Sequence, residues 1–271
     1  GTSTADGLYL TKTLWDEFTQ FEDITLVAGY TGSDSKFVST EIQFKDSFDL
    51  SATGSLTLDA AQILGLKTGG TNVNLNAPAV NLRNSGDRSK ISTMVPANSG
   101  TFTVNAANEI NVGGGDVLFG GFETIALNSP GDVILKGQGS LTTGNADLQI
   151  RSARVTTGAA YQTDGTYLVP RFSVVAGKNK EDLNPVHSIT MTAPTNSQPG
   201  ASAGTSGGML EFAARKIELS TVLQADSGTI KLTSAGTGAT DGIFLKDSAQ
   251  VLARGTDDAP GGRVFLRTDN G

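Results

Sequence analysis

An internal repeat of short apolar segments limits what this 271-residue chain can fold into more than any other feature. Three segments reappear downstream in the same order, and their offset falls from 122 − 21 = 101 residues to 148 − 56 = 92 residues. The spacers therefore vary while the strand-like cores are kept. The matched pairs are Phe21–Leu26 with Phe122–Leu127, Glu41–Lys45 with Asp132–Lys136, and Leu56–Leu58 with Leu148–Ile150. A repeat built of short strands predicts a solenoid.

A ten-residue module also recurs, with apolar residues at its first, third, eighth and tenth positions and a small residue at its fifth. Alternation at period two places Leu210 and Phe212 on the same side of one strand. The small residue lies at the bend that follows, because coils stacked above and below leave no room there for a large side chain. The copies are Val73–Leu82 and Leu210–Leu219, with looser versions at Leu56–Ile63 (Ala60), Phe102–Val112 (Ala106) and Leu148–Val155 (Ser152).

These patterns predict an all-β fold, a right-handed parallel β-helix (β-solenoid) with loop insertions, forming a single domain over residues 1–271. Successive modules begin 73 − 56 = 17 and 230 − 210 = 20 residues apart, which predicts ten to thirteen coils. Residues 1–20 form a possible end-covering segment, either a short helix or a strand followed by an irregular turn. The first residues do not resemble a signal peptide, and we expect the chain to be a fragment or processed piece of a larger protein.

Four polar stretches, at residues 29–40, 83–99, 158–184 and 194–207, interrupt the modules and are predicted to be loops. The 158–184 loop insertion combines aromatic anchors with basic residues on an otherwise acidic chain, so it is the candidate binding loop. The alternative is that its aromatic residues only pack the loop against the solenoid. The candidate residues are Tyr161, Tyr167, Arg171, Phe172, Lys178 and Lys180.

Composition excludes several kinds of chemistry. The chain has no cysteine and only one histidine, His187, so it can form neither a disulfide framework nor a thiolate metal site. A formal net charge of −7 argues against nucleic acid as a partner. No spaced nucleophile, base and orienting residue is recognisable, so we expect neither enzymatic activity nor an obligatory cofactor.

Two motifs leave an alternative open. The glycine and aspartate segment Gly113–Gly121 is similar to calcium-binding nonapeptides, but it occurs once, which favours a tight turn. The carboxylates Glu41, Asp132 and Glu211 fall at outward strand positions, where stacked coils can bring two together. Paired carboxylates can cleave glycosidic bonds. A carbohydrate-active β-helix enzyme, either a polysaccharide lyase or a tailspike-like glycosidase, is therefore the alternative function.

The Phe-Glu-x-Ile-x-Leu units, the Ser55–Ala61 segment and the cysteine-free modules resemble the shaft of filamentous haemagglutinin-like adhesins, the exoproteins of bacterial two-partner secretion. The resemblance implies a secreted structural shaft at the bacterial outer-membrane surface and an outer-membrane transporter as partner of the full-length protein. It also implies attachment to a protein or glycan on host cells, extracellular matrix or other bacteria. Neither the family's secretion domain nor a toxin-like tail is recognisable, which leaves adhesion, biofilm scaffolding and contact-dependent inhibition open.

Overall fold

The computed structural model describes residues 21–91, 99–161, 166–200, 206–256 and 259–269. The candidate end-covering segment, residues 1–20, lies outside the described residues. The strands, in chain order, are β1 (Asp23–Val27), β2 (Gly29–Thr31), β3 (Phe37–Ser39), β4 (Glu41–Phe44), β5 (Phe48–Ser51), β6 (Ser55–Asp59), β7 (Gln62–Gly65), β8 (Val73–Arg83), β9 (Arg88–Ser89), β10 (Thr101–Gly120), β11 (Thr124–Asn128), β12 (Asp132–Thr142), β13 (Asp147–Arg151), β14 (Arg154–Gly158), β15 (Ala160–Tyr161), β16 (Tyr167–Leu168), β17 (Arg171–Val175), β18 (Ser188–Thr192), β19 (Met209–Ala214), β20 (Lys216–Ser220), β21 (Val222–Gln224), β22 (Thr229–Ser234), β23 (Gly242–Leu245), β24 (Gln250–Leu252) and β25 (Arg263–Thr268).

Backbone pairing stacks most of these strands into three faces. Face 1 contains β5, β11, β13, β18, β20, β23 and the first parts of β8 and β10. Face 2 contains β1, β6, β14, β21, β24, the middle of β10, the end of β8 and the start of β12. Face 3 contains β4, β7, β17, β19, β22, β25 and the ends of β10 and β12. Every pairing within these faces is parallel, so the predicted parallel β-helix is confirmed.

Inward side chains form columns through the stack. On face 2, Leu56, Val80, Ile110, Val133 and Val155 are register partners in successive coils, and each is 0% exposed. Burying each such side chain stabilises the fold by roughly 1.5–3 kcal/mol before conformational entropy is subtracted. Stacking thus gives strands of only about five residues a shared core, which none of them has alone.

The coil corners carry the small residues that the module predicted. Ala60, Ala106, Ser152 and Ala214 are all buried where the chain turns from one face to the next. β8 makes such a turn at Ala77, between its face 1 and face 2 parts. The module therefore marks a strand, a corner and a second strand.

The described residues contain fewer coils than the ten to thirteen predicted for the whole chain. They place eight strands on each face. The reason is the length of the coil. Val73 and Phe102 are register partners 102 − 73 = 29 residues apart, which exceeds the expected 17 to 20 because turns and insertions are part of the coil.

The repeated segments recur in the same order along the chain, but they do not occupy equivalent positions on the coil. Strand β1 belongs to face 2, whereas its sequence match β11 belongs to face 1. The other two matched pairs, β4 with the start of β12 and β6 with β13, are shifted by one face in the same direction. All three faces need the same apolar alternation, so sequence similarity follows the strand pattern and not the position on the coil.

Two coils lack one strand each. The chain between β8 and β10 bypasses face 3, and there β7 pairs directly with β10. The chain between β18 and β19 bypasses face 2, and there β14 pairs directly with β21. The bypassing segments correspond to the predicted insertions at 83–99 and 194–207. The 29–40 insertion forms the antiparallel hairpin β2–β3, which pairs with β9 of the 83–99 insertion.

The 158–184 insertion is not one loop, which corrects the sequence prediction. Residues 171–175 form β17, a regular strand of face 3 that pairs with β12 and β19. Two separate excursions flank this strand. The first contains the antiparallel hairpin β15–β16, and the second runs from residue 177 to 187. The alternation in Phe172 and Val174 was the sign of a strand, but the surrounding polar residues obscured it.

Candidate functional site

The second excursion, residues 177–187, lies over the outward side of face 3 and forms a cleft with it. The cleft has a volume of about 520 Å³, within the range of ordinary ligand sites. Outward residues of β17, β19, β22 and β25 line one side, and residues 180–185 line the other. We refer to this space as the face 3 cleft.

Strand register creates the floor of the face 3 cleft. Ser173, Glu211 and Lys231 are register partners in three successive coils. A parallel column two residues along contains Val175, Ala213, Thr233 and Arg267. Alternation explains why these residues face outward, because the intervening Phe212 and Leu232 point into the core.

Hydrogen bonds hold the 177–187 excursion in place. The backbone N–H groups of Lys178 and Asn184 donate to the two carboxylate oxygens of Asp182, at 3.0 and 3.1 Å. The Nζ of Lys180 donates to Oδ2 of Asp116, on β10, at 2.7 Å. The hydrogen bond to Asp116 raises the pKa of Lys180 despite the opposing effect of burial. The excursion is therefore tied to β10, where Asp116 lies two coils before Ser173 in the same outward column of face 3.

Charges around the face 3 cleft nearly balance. Lys231 pairs with Glu211 and Arg267 pairs with Asp269 along the floor. Lys180 is 4.0 Å from Glu181 in addition to its contact with Asp116. A site with cations and anions side by side suits a polar ligand of little net charge better than a polyanion.

One polar atom of the cleft is unsatisfied. The Oγ1 atom of Thr233 is buried and has no hydrogen-bond partner. A buried hydroxyl without a partner costs free energy, so it is a natural point of contact for a ligand group. Leu183 is 82% exposed and supplies an apolar surface beside these polar groups.

The predicted site residues do not form one cluster. Lys178 and Lys180 belong to the excursion after β17, and Lys180 lines the cleft. Tyr167, which is 41% exposed, and Arg171, which is also exposed, lie before or at the start of β17. The backbone of Tyr161 pairs with that of Tyr167, but the side chain of Tyr161 lies outside the described part of the structure.

Phe172 was wrongly assigned to the binding loop. Its side chain is 1% exposed and belongs to the hydrophobic core. It pairs in register with Leu210 of β19, which makes it an ordinary inward residue. A partner molecule has no access to this ring.

The sequence identified Glu211 as an outward carboxylate, but the rest of the floor of the cleft was not predicted, including Ser173, Thr233 and Arg267. Their signal was present, because each lies at an outward position of an alternating strand. The alternation does not reveal which outward positions the 177–187 excursion covers, since that depends on the path of an irregular segment.

The three carboxylates considered as a catalytic pair have separate partners. Glu41 accepts a hydrogen bond from Gln43, and Glu211 pairs with Lys231. Asp132 lies at an outward position of face 2, beside inward Val133, as predicted, but it is buried against Arg154 beneath Gly200 of the bypassing segment. The stack brings none of these three carboxylates to another.

The remaining motifs form no metal site within the described ranges. Gly113–Gly115 turn the corner between faces 2 and 3 inside β10, and Asp116 bonds to Ser140 and Lys180. No group of three or more potential metal ligands occurs among the described residues. The Nδ1 of His187 lies 3.6 Å from Oδ1 of Asp147.

A second and more open groove, of about 620 Å³, follows the corner between faces 1 and 2. Its lining includes the corner residues Ala77 and Ala106 and a ladder of asparagines. Asn105 Nδ2 donates to Asn76 Oδ1 at 3.0 Å, and Asn128 Nδ2 donates to Asn105 Oδ1 at 3.1 Å. The amides satisfy one another along the stack, so this groove repeats one pattern in several coils.

Comparison with known proteins does not identify a relative, since no family model, curated protein or solved structure matches the chain. In the part of the chain that the structure describes, no helix is long and apolar enough to cross a membrane. The face 3 cleft is therefore interpreted from its own geometry.

Proposed function

We propose that this chain is a structural shaft of a secreted, surface-exposed bacterial adhesin, and that the face 3 cleft is its recognition site. The observation that carries the proposal is the combination of a continuous β-helical core with one irregular excursion folded over a regular face. The resemblance to filamentous haemagglutinin-like adhesins supports the same function. With it come the proposed location at the outer-membrane surface and the outer-membrane transporter as partner.

The fold suits a shaft because its stability is distributed along its length. Each internal strand has parallel neighbours above and below, and the apolar columns pass from coil to coil. Eight strands spaced by about 4.8 Å place the first and last strands of a face about 34 Å apart. Such a stack connects a ligand bound at one point to the rest of the protein through a rigid body rather than through a flexible linker.

Recognition is assigned to the excursion because regular faces repeat their outward chemistry, whereas an excursion presents a shape found once. The cleft offers donors, acceptors and the apolar side chain of Leu183. A protein or glycan on a host cell, extracellular matrix or another bacterium is the proposed ligand.

The test replaces residues 178–184 with a short Gly-Ser linker and leaves β17 and β18 intact. We expect an unchanged β-sheet circular dichroism spectrum and melting temperature, together with loss of adhesion to host cells, matrix proteins or sister bacteria. The matched control replaces the hairpin tip at residues 32–36, which belongs to a different insertion, distant in sequence from residues 178–184. This variant should leave adhesion unchanged. Unchanged adhesion in the 178–184 variant would contradict the assignment of recognition to the cleft.

A carbohydrate-active enzyme is the second candidate, favoured by four carboxylates at the face 3 cleft, namely Glu181, Asp182, Glu211 and Asp269. Glycoside hydrolysis requires two carboxyl groups flanking the scissile bond. Turnover on a panel of polysaccharides that disappears in Glu211→Gln would support this function. Binding without turnover would favour the adhesin.

A further inference from the structure

The groove at the corner between faces 1 and 2, which we call the corner groove, is built from one recurring sequence triplet. In three successive coils an asparagine ends the face 1 part of the chain, a buried small residue turns the corner, and an alanine or proline follows. Strand register aligns the asparagines, since Asn76 pairs with Asn105 and Asn105 pairs with Asn128. The triplets are Asn76-Ala77-Pro78, Asn105-Ala106-Ala107 and Asn128-Ser129-Pro130.

The asparagine ladder has hydrogen-bonding capacity left over. A primary amide offers two N–H donors and two acceptor lone pairs, and the ladder uses one N–H and one lone pair of Asn105. The remaining N–H and lone pair diverge from the axis of the stack because the amide is trigonal. Asn105 is exposed, and Asn76 and Asn128 are half-buried, so a ligand in the groove can reach these amides.

The lining of the corner groove carries almost no charge. Among the described residues that line it, none is a carboxylate, and only Arg151, at one end, is cationic. Pro78, Ala107 and Pro130 form an apolar wall beside the amides. Amide groups next to C–H surface suit an uncharged polyhydroxyl compound better than an ion.

The spacing of the amides selects among uncharged ligands. Successive asparagines are about 4.8 Å apart along the stack, which is the distance between neighbouring strands. In an extended peptide, side chains on one side recur at about 6.6–6.8 Å, out of step with the coils. Each sugar unit of an extended β-1,4-linked glycan advances its chain by nearly one coil spacing, so the hydroxyl groups stay in step with the amides.

We propose that the corner groove binds an uncharged, linear β-1,4-linked glycan that lies along the stack, with one sugar unit at each coil. The asparagine amides exchange hydrogen bonds with its hydroxyl groups, and the apolar wall packs against its ring faces. From Ser51 to Arg151 the lining spans five strands in register. Their length of about 19 Å accommodates four to five sugar units.

This site is separate from the face 3 cleft, and it recognises its ligand in a different way. A regular surface offers little that distinguishes one compact shape from another, but it does select a ligand with the same repeat. The inference is independent of the proposed adhesin function.

Isothermal titration calorimetry of the full chain with cello-oligosaccharides and chito-oligosaccharides of two to six units tests the ligand class. We expect the affinity for at least one series to rise with each added unit and to level off at about four to five units, the length of the groove. Absence of binding in both series would overturn the proposal, and so would equal affinity for the disaccharide and the hexasaccharide. Equally tight binding of a heparin hexasaccharide, or of a decapeptide of serine and threonine, would contradict an uncharged glycan as the ligand.

Two variants test the location of the site. Asn105→Ala removes the middle amide, and Ala107→Trp fills the groove while leaving the ladder intact. Each should raise the dissociation constant of the hexasaccharide by about tenfold or more. Unchanged affinity in both variants would overturn the assignment to the corner groove.

Two controls keep this result specific. Asn74→Ala removes an amide of the same face that donates to Asp49 and lies outside the groove lining, so it should leave the affinity unchanged. Replacing residues 178–184 should leave oligosaccharide binding unchanged as well, which separates this site from the face 3 cleft. Circular dichroism of each variant distinguishes loss of binding from loss of folding.

Discussion

The guanidinium group of Arg154 donates hydrogen bonds to both carboxylate oxygens of Asp132 in the neighbouring coil, at 3.2 and 2.6 Å, and both side chains are almost fully buried. Arg154 also donates to Gln224 and to the backbone carbonyl of Gly200. The pair lies where the chain bypasses face 2, and it fastens the bypassing segment to the coils that close beneath it.

Breaking this pair should be costly. Arg154→Met leaves the carboxylate of Asp132 buried without its counter-ion, and we expect a loss of about 3–5 kcal/mol in the free energy of unfolding. Arg88→Met removes an equally close but exposed pair with Asp34 and should cost less than about 1 kcal/mol. Urea denaturation of both variants measures the difference. Equal losses would contradict a structural role for the buried pair.

Phe172 and Tyr167 should contribute very differently to the stability of the fold. Phe172→Ala creates a core cavity and should destabilise the protein by about 3–5 kcal/mol. Tyr167→Ala removes a half-exposed ring and should change stability by no more than about 0.5 kcal/mol. Thermal unfolding provides the measurement. A Phe172→Ala variant as stable as the wild type would contradict the burial of this side chain in the core.

Gly121 should not tolerate a side chain. Its φ is +75°, and a Cβ there would overlap the carbonyl oxygen of Gly65 in the coil below. Gly69 has a similar φ of +83° but open space around it, so Gly69→Ala should cost only the conformational penalty of about 1–2 kcal/mol. Chemical denaturation should show a clearly larger loss for Gly121→Ala. Similar losses would mean that the two coils can separate slightly at this corner.

Acid should remove one surface contribution to stability. Hydrogen bonds from Lys216 and Lys246 lower the pKa of Glu218 below its ordinary value of 4.5. Because the folded value is the lower one, these contacts stabilise the protein above the ordinary pKa, and the stabilisation is lost as the pH falls through the folded pKa.

At neutral pH, Glu218→Gln should therefore be less stable than the wild type, by under about 1 kcal/mol because solvent screens the pair. The two melting temperatures should converge as the solution is acidified, and also when salt is added at neutral pH. A difference that persists in strong acid would point to packing rather than charge.

Much of the fold was predictable because the strands and corners of a β-helix follow short-range sequence patterns. Alternation identified strands such as β19 and β20, and the small residue between them, Ala214, identified the corner. The assignment of strands to faces was not predictable, since all faces share one alternation. The bypassed positions were hidden too, because a missing strand leaves only a longer irregular segment in the sequence.

Of the candidate site, the sequence predicted Lys180 in an exposed insertion and Glu211 at an outward strand position, but not that the two lie in one cleft. Basic residues in an irregular segment mark an exposed excursion, which is a local property. The floor beneath it combines Ser173, Glu211 and Thr233 from three coils, and their proximity depends on register across insertions of different length. Phe172 shows the opposite error, in which polar neighbours on both sides concealed an inward residue.

The two bypasses set the shape of the rod. Counted from Phe48, after β1 and β4, the described residues place eight strands on face 1 but seven on each of the other faces. The difference arises because faces 2 and 3 are each bypassed once. One strand spacing of about 4.8 Å across a coil roughly 10–15 Å wide corresponds to a curvature on the order of 20°, with face 1 on the convex side. An insertion that replaces a strand therefore makes the stack shorter on one side than on the other. Its place in the sequence decides where a long filament of such coils turns, and in which direction.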